Sequence, residues 1–105
     1  MQIQVSTDHN IEGREALSEH FKGVVATALD RFRGRITRVE VHLSDQNGNK
    51  AGPDDKRCTI EARLEGHQPT AVSHQAATVD KAVHGATDKL KRSLDGILRR
   101  LNEHR

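Results

Sequence analysis

Three observations predict an α+β fold, a two-layer sandwich of order β-α-β-β-β-α whose four-stranded mixed sheet carries both helices on one face. First, Val79, Val83, Ala86, Leu90, Leu94, Ile97 and Leu101 recur every three or four positions, the spacing that lines one side of an α-helix. Second, four shorter stretches alternate apolar and polar residues, as half-buried strands do. Third, each of those strands has only one apolar side, so both helices must cover the same face and the other face must be wet. At 105 residues the chain is read as a single domain, 1–105, with one core.

Residues 1–7 open the chain as a strand, with Ile3, Val5 and Thr7 on one side and Gln2, Gln4 and Ser6 on the other. A turn through Asp8, His9 and Asn10 leads to Gly13, an acceptable N-cap, and then to Leu17, Phe21, Val24, Val25, Ala28 and Phe32 at helical spacing. The first helix is therefore expected over 14–33. Gly34 stands where a helix-ending residue with positive φ is wanted, and Arg31, Arg33 and Arg35 suit the negative end of the helix dipole. Residues 36–44 form the second strand, with Val39, Val41 and Leu43 inward and Arg38, Glu40 and His42 outward.

The stretch 45–56, with Asn47-Gly48 and Gly52-Pro53, reads as a flexible hairpin loop. It lacks the G-x-x-x-x-G-K-[ST] pattern of a phosphate-binding loop. Residues 57–65 are the clearest strand, with Cys58, Ile60, Ala62 and Leu64 inward, and 70–75 are a weaker fourth strand with Val72 inward. The last helix is expected over 78–101, with Thr78 as N-cap and Asp80 in the first turn. Gly85 and Gly96 interrupt it at positions where a close approach or an irregularity is expected. At about 1.5 Å per residue it outruns a typical strand, so its C-terminal end should overhang the sheet. Because a helix joins the first two strands, they should pair in parallel, and the hairpins make the rest antiparallel.

Formal charge is only +2, but it is uneven. Residues 76–105 hold seven Lys/Arg against four Asp/Glu, and Lys22, Arg31, Arg33, Arg35 and Arg38 against Asp30 form a second basic excess. On the last helix, at about 100° per residue, Lys81, Arg92 and Arg99 lie opposite the apolar stripe, with Lys89 and Arg100 on one flank. Asp80, Asp88 and Asp95 take the other flank, and Lys91 and Glu103 cross the division. Two basic patches point to an anionic partner such as nucleic acid. Two Phe and no Trp or Tyr leave no aromatic platform on the wet face, so bound RNA would be held by backbone charge and shape.

The single Cys58 excludes an intramolecular disulfide, and no run approaches the roughly 20 apolar residues of a membrane span. A cytoplasmic protein with no membrane partner is expected. Seven His raise the question of a metal or catalytic site. His84 and Asp88 are four apart on the last helix, with His74 on the strand before it, yet no H-E-x-x-H, Cys pair or third ligand accompanies them. Cys58 alternates into the core, where thiols are inert. No catalytic residue, metal or cofactor is therefore expected.

The opening Met1-Gln2-Ile3-Gln4-Val5, the helix end Leu29-Asp30-Arg31-Phe32, the strand Ile36-Thr37-Arg38-Val39-Glu40-Val41-His42-Leu43-Ser44 and the run Asp88-Lys89-Leu90-Lys91-Arg92-Ser93-Leu94 together resemble the ribosome hibernation-promoting factor and ribosome-associated inhibitor family. The last of these is similar to that family's D-K-L-x-R-x-L. The resemblance runs over about residues 1–101 and implies a small protein that binds ribosomal RNA of the small subunit at the decoding region. There it would block messenger and transfer RNA and silence idle ribosomes during stress. Lys89 and Arg92 match basic helix positions of the family, and Arg31 matches one near the end of its first helix. Lys81, Arg99, Arg100 and Lys22 complete the candidate RNA-binding set by charge and placement. Gly13 stands where the family usually has a Thr cap, Asp80 where a Tyr is common, and the 45–56 loop is longer than usual. The likeness is to the short form, so a dimerisation domain is not expected and a monomer is. The rival reading is a general double-stranded-RNA-binding or protein-interaction module with no ribosome role, and a salt-sensitive pull-down separates the two.

Overall fold

The computed structural model describes residues 1–8, 11, 13–46 and 55–103. Its elements are β1 (Gln2–Thr7), α1 (Arg14–Ala28), a 3₁₀ turn (Asp30–Phe32), β2 (Ile36–Asp45), β3 (Lys56–Leu64), β4 (Thr70–Ala76) and α2 (Val79–Glu103). The sheet order is β1-β2-β3-β4, with β1 parallel to β2 and the other two pairings antiparallel. This is the predicted α+β sandwich. The interior of the 45–56 loop and the turn residues His9 and Asn10 lie outside the described residues, as does Arg105.

One face of the sheet is apolar because each strand alternates. Ile3 from β1, Val39, Val41 and Leu43 from β2, and Cys58, Ile60, Ala62 and Leu64 from β3 all point into the core. Helix α1 seals it with Phe21 and Val25, and α2 with Ala82, Val83, Ala86, Leu90, Leu94 and Ile97. Beyond Ile97 the stripe runs off the sheet: Leu101 is 41% exposed, the overhang that helix length predicts. Thr78 caps α2 as expected, its Oγ1 accepting from the Lys81 N–H at 3.1 Å.

Two local features differ from the sequence reading. Helix α1 stops at Ala28 instead of 33, and Gly34 is not in the left-handed region; among the described glycines only Gly13 and Gly66 have positive φ. The reason lies in the bonding. Phe32, Arg33 and Arg35 donate to the carbonyls of Leu29, Asp30 and Phe32, so tight i→i+3 turns satisfy the helix end and drop Phe32 into the core. At the other end Gly13 is the N-cap, as expected, with φ 65° and ψ 38°, a conformation a residue with a Cβ resists. Finally, Thr37 is a bulge: Ile36 faces Leu64 while Arg38 faces Arg63, which lets Ile36 and Val39 both point inward.

Candidate nucleic-acid interface

Helix α2 settles where each charge points, because its apolar stripe fixes its rotation. The flank carrying His84, Thr87, Asp88 and Lys91 turns toward α1, where with His20, Val24, Thr27 and Ala28 it lines the seam between the helices. The opposite flank turns toward β4. There Gly85 meets the His74 ring so closely that an added Cβ would collide with it, which is the close approach predicted for that glycine. One turn on, the Lys89 ammonium donates to the Ser73 carbonyl of this edge strand at 2.9 Å. Gly96 is not a second such place, since an added Cβ would find only ordinary contact with Arg100.

Lys81, Lys89, Arg92, Arg99 and Arg100 are all exposed and form a ridge along the solvent side and β4 side of α2. Among the described residues, none of the five takes part in an ion pair. The second basic excess of the sequence fares differently. Arg31 is held by Asp95 in a two-pronged bond of 2.7 and 2.8 Å, with its guanidinium 4.2 Å from the centre of the Phe32 ring. Arg33 pairs with Asp30 at 3.0 Å, and Arg38 with Glu40 at 2.7 Å and with Gln4. These residues stand on the molecule's surface, but their charge is answered at home.

The Arg31 bond, followed by the charges of Arg31, Lys91 and Arg99, holds the Asp95 carboxyl below the usual carboxylate range. Arg31 is raised in turn, first by the same bond. Lys22 is exposed on α1, one position along the wheel from buried Phe21, on the side where Glu15 and Ser18 meet Val5 and Thr7 of β1. The seam to α2 is on the other side, so the structure does not bring Lys22 to the ridge.

The opposite end of the sheet carries an ionic group that the sequence reading missed. Lys56 Nζ lies 2.8 Å from Asp55 and 3.3 Å from Asp45, both buried carboxylates, and the Asp45 N–H donates to Asp8. The Lys56 ammonium is raised, chiefly by the Asp55 bond. The signal was the charge triplet Asp54-Asp55-Lys56 opposite Asp45, which a loop assignment passed over. It is a clasp at the base of the hairpin. Among the described residues no group of three His, Cys, Asp or Glu could hold a metal ion, and His84 faces Asp80 at 3.5 Å rather than Asp88. Cys58 is fully buried and burial pushes its thiol up to about 12.

The open face of the sheet is polar, with Arg38, Glu40, Glu61 and Arg63 at its centre; His42 is exposed on it, but both Phe side chains are buried and neither is there to stack a base. The sequence matches the model of one protein family, described as sigma 54 modulation protein / S30EA ribosomal protein, over residues 3–102. The chain belongs to that family. Its fold is similar to the N-terminal domain of Protein Y from Thermus thermophilus, at 22% identity, with 92% of this chain and 99% of that one covered and a TM-score of 0.71. It is likewise similar to a ribosomal subunit interface protein from Coxiella burnetii, at 19% identity, with 94% and 99% covered and a TM-score of 0.70. No curated protein matches the chain in sequence. Among the described residues, no helix is long and apolar enough to cross a membrane.

Proposed function

We propose that this protein binds the small ribosomal subunit at its decoding region, through ribosomal RNA phosphates laid along the α2 ridge, and inhibits translation by idle ribosomes. The observation that carries this reading is the ridge itself. Among the described residues, Lys81, Lys89, Arg92, Arg99 and Arg100 stay exposed along one side of one helix and take part in no ion pair, whereas Arg31, Arg33 and Arg38 are each paired. Membership of a family described as S30EA ribosomal protein supports the choice of anion, and one of the two proteins of similar fold is named a ribosomal subunit interface protein. Phosphate contacts fix register and orientation on RNA without reading bases, which suits a surface with no stacking ring. The role is that of a binding factor: it asks nothing of the buried Cys58 and needs no cofactor or membrane. Such a protein would work as a monomer, one copy per small subunit.

The test is equilibrium binding to purified small subunits, to naked duplex RNA and to single-stranded RNA across a range of salt. Affinity for subunits should fall on a log-log plot with a slope of about −0.7 to −0.9 for each phosphate engaged. Preference for intact subunits over either naked RNA supports the ribosomal role. Equal affinity for all three would favour a general RNA-binding module, and binding indifferent to salt would remove the ridge from the account.

A further inference from the structure

Arg31 and Asp95 are 64 residues apart in sequence, yet they make the only two-pronged ion pair among the described residues. Both side chains are about half exposed, at 55% and 50%, so water and ions reach the pair. Two oxygens bridging the two outer nitrogens of a guanidinium is also the way a phosphodiester's free oxygens meet an arginine. Stacking on Phe32 holds the guanidinium plane in place from behind, independently of Asp95. Lys91 and Arg99 sit on α2 four residues before and after Asp95, and their charges act on its carboxylate as well. The Asp95 carboxylate therefore stands among three cations, two from α2 and one from the 3₁₀ turn that follows α1.

We propose that these three cations form a phosphodiester subsite between α2 and the 3₁₀ turn after α1 and that Asp95 is its resident stand-in, displaced from Arg31 when an RNA phosphate arrives. The proposal rests on the reading of the protein as an RNA-phosphate binder and adds a site and a restraint to it. Arg99 belongs to both surfaces, so the subsite continues the ridge around the C-terminal half of α2. Displacement is within reach because an exposed ion pair is weak. Asp95 swings aside about its own side-chain bonds, the phosphate takes its place on Arg31, and no backbone element has to move. The restraint sets affinity: each encounter must break a bond at home before making the one to RNA.

The test is a double-mutant cycle of Asp95→Asn, Arg31→Gln and the pair, measured by equilibrium titration of small subunits at several salt concentrations. Asp95→Asn should tighten binding about two- to fivefold, since an exposed pair restrains by no more than that. It should also steepen the salt slope by up to about 0.7 to 0.9, because a displaced Asp95 must be screened again by a salt cation whereas Asn need not be. In the Arg31→Gln background the same change should do almost nothing. Unchanged or weaker binding by Asp95→Asn overturns the proposal, and so does an equal gain without Arg31, which would be a general charge effect. The wild type's own titration judges the ribosomal reading separately. Independently of ribosomes, the Arg31 Nε resonance followed against inorganic phosphate should saturate at lower concentration in Asp95→Asn; identical curves for the two proteins also overturn the subsite.

Discussion

The two basic clusters of this chain look alike in sequence and differ in the fold. The cluster around the end of α1 is mostly closed: Arg31 holds Asp95, Arg33 holds Asp30 and Arg38 holds Glu40, and only Arg35 beside them is exposed with no ion pair among the described residues. Along α2, Lys81, Arg92, Arg99 and Arg100 stay exposed and form no ion pair among the described residues, and Lys89 donates to a backbone carbonyl; Arg99 acts on Asp95 only at a distance. The difference follows from how α2 is rotated. Its acidic flank is turned toward α1 and supplies Asp95 to the first cluster, while its basic flank forms no ion pair among the described residues. A local excess of positive residues is therefore not the same as available positive charge. What matters is whether the fold returns a counterion to it.

The largest expected effect concerns the seat of the open cluster. Leu90 is fully buried at the middle of the α2 stripe, so Leu90→Ala should cost about 2 to 5 kcal/mol in denaturant unfolding, whereas Leu101→Ala on the overhang should cost about 0.5 kcal/mol or less. Equal losses would mean that α2 is not seated as described. Next comes the contact that sets the basic flank against β4. Gly85→Ala removes a poor helix residue yet forces the His74 ring aside, and the overpacking should win, at about 1 to 3 kcal/mol of net destabilisation. Stabilisation by this substitution would show that the helix stands further from the edge strand. Smaller still should be the response of the closed cluster: Arg33→Gln and Arg38→Gln should change affinity for small subunits less than about twofold, since both charges are already answered. A loss as large as one on the ridge would erase the contrast between the clusters.

A pH series probes the core beneath both. The Cys58 thiol is raised to about 12 when folded, so the folded state keeps its proton where the unfolded chain begins to release it, near pH 9. Stability should hold below about pH 9 and fall from there toward 12. Lys56, raised by Asp55 and Asp45, works in the same direction: its contribution is complete below the ordinary amine range and is lost as pH climbs through its raised value. Cys58→Val should flatten part of this alkaline slope, and a slope unchanged by that substitution would place the thiol in contact with water.

Much of this was legible because it is local. The α2 stripe, the Thr78 cap, the inward residues of β2 and β3 and the order of elements all follow from spacings within one segment. Even the partner of Arg33 was available, since Asp30 stands three residues before it, as was that of Arg38, with Glu40 on the same strand face. What the sequence reading missed depends on neighbours distant in the chain. The helical wheel put Asp95 on the acidic flank but could not say that this flank would meet Arg31, and it put Lys89 on the basic flank without showing that it reaches Ser73 of β4. The bulge at Thr37 had left a trace, for Ile36 is out of phase with Val39, Val41 and Leu43, and only an extra residue lets all four enter the core. The end of α1 left none, because three-residue turns replaced the left-handed glycine that Gly34 had suggested.

Whether the exposed cations of α2 carry ribosome binding is read from titration of small subunits with Lys89→Glu/Arg92→Glu. Both residues are exposed and neither belongs to the core, so circular dichroism and the melting midpoint should stay close to wild type. A charge-matched pair, Arg14→Glu/Lys22→Glu, alters the net charge equally but on α1, away from the ridge. The ridge pair should weaken binding by at least about tenfold and relieve inhibition of translation in vitro, while the α1 pair should remain within about threefold of wild type. If the ridge pair still binds small subunits and inhibits translation at wild-type concentrations, or if both pairs lose binding equally, the α2 ridge is a solvated face and not the surface that meets RNA.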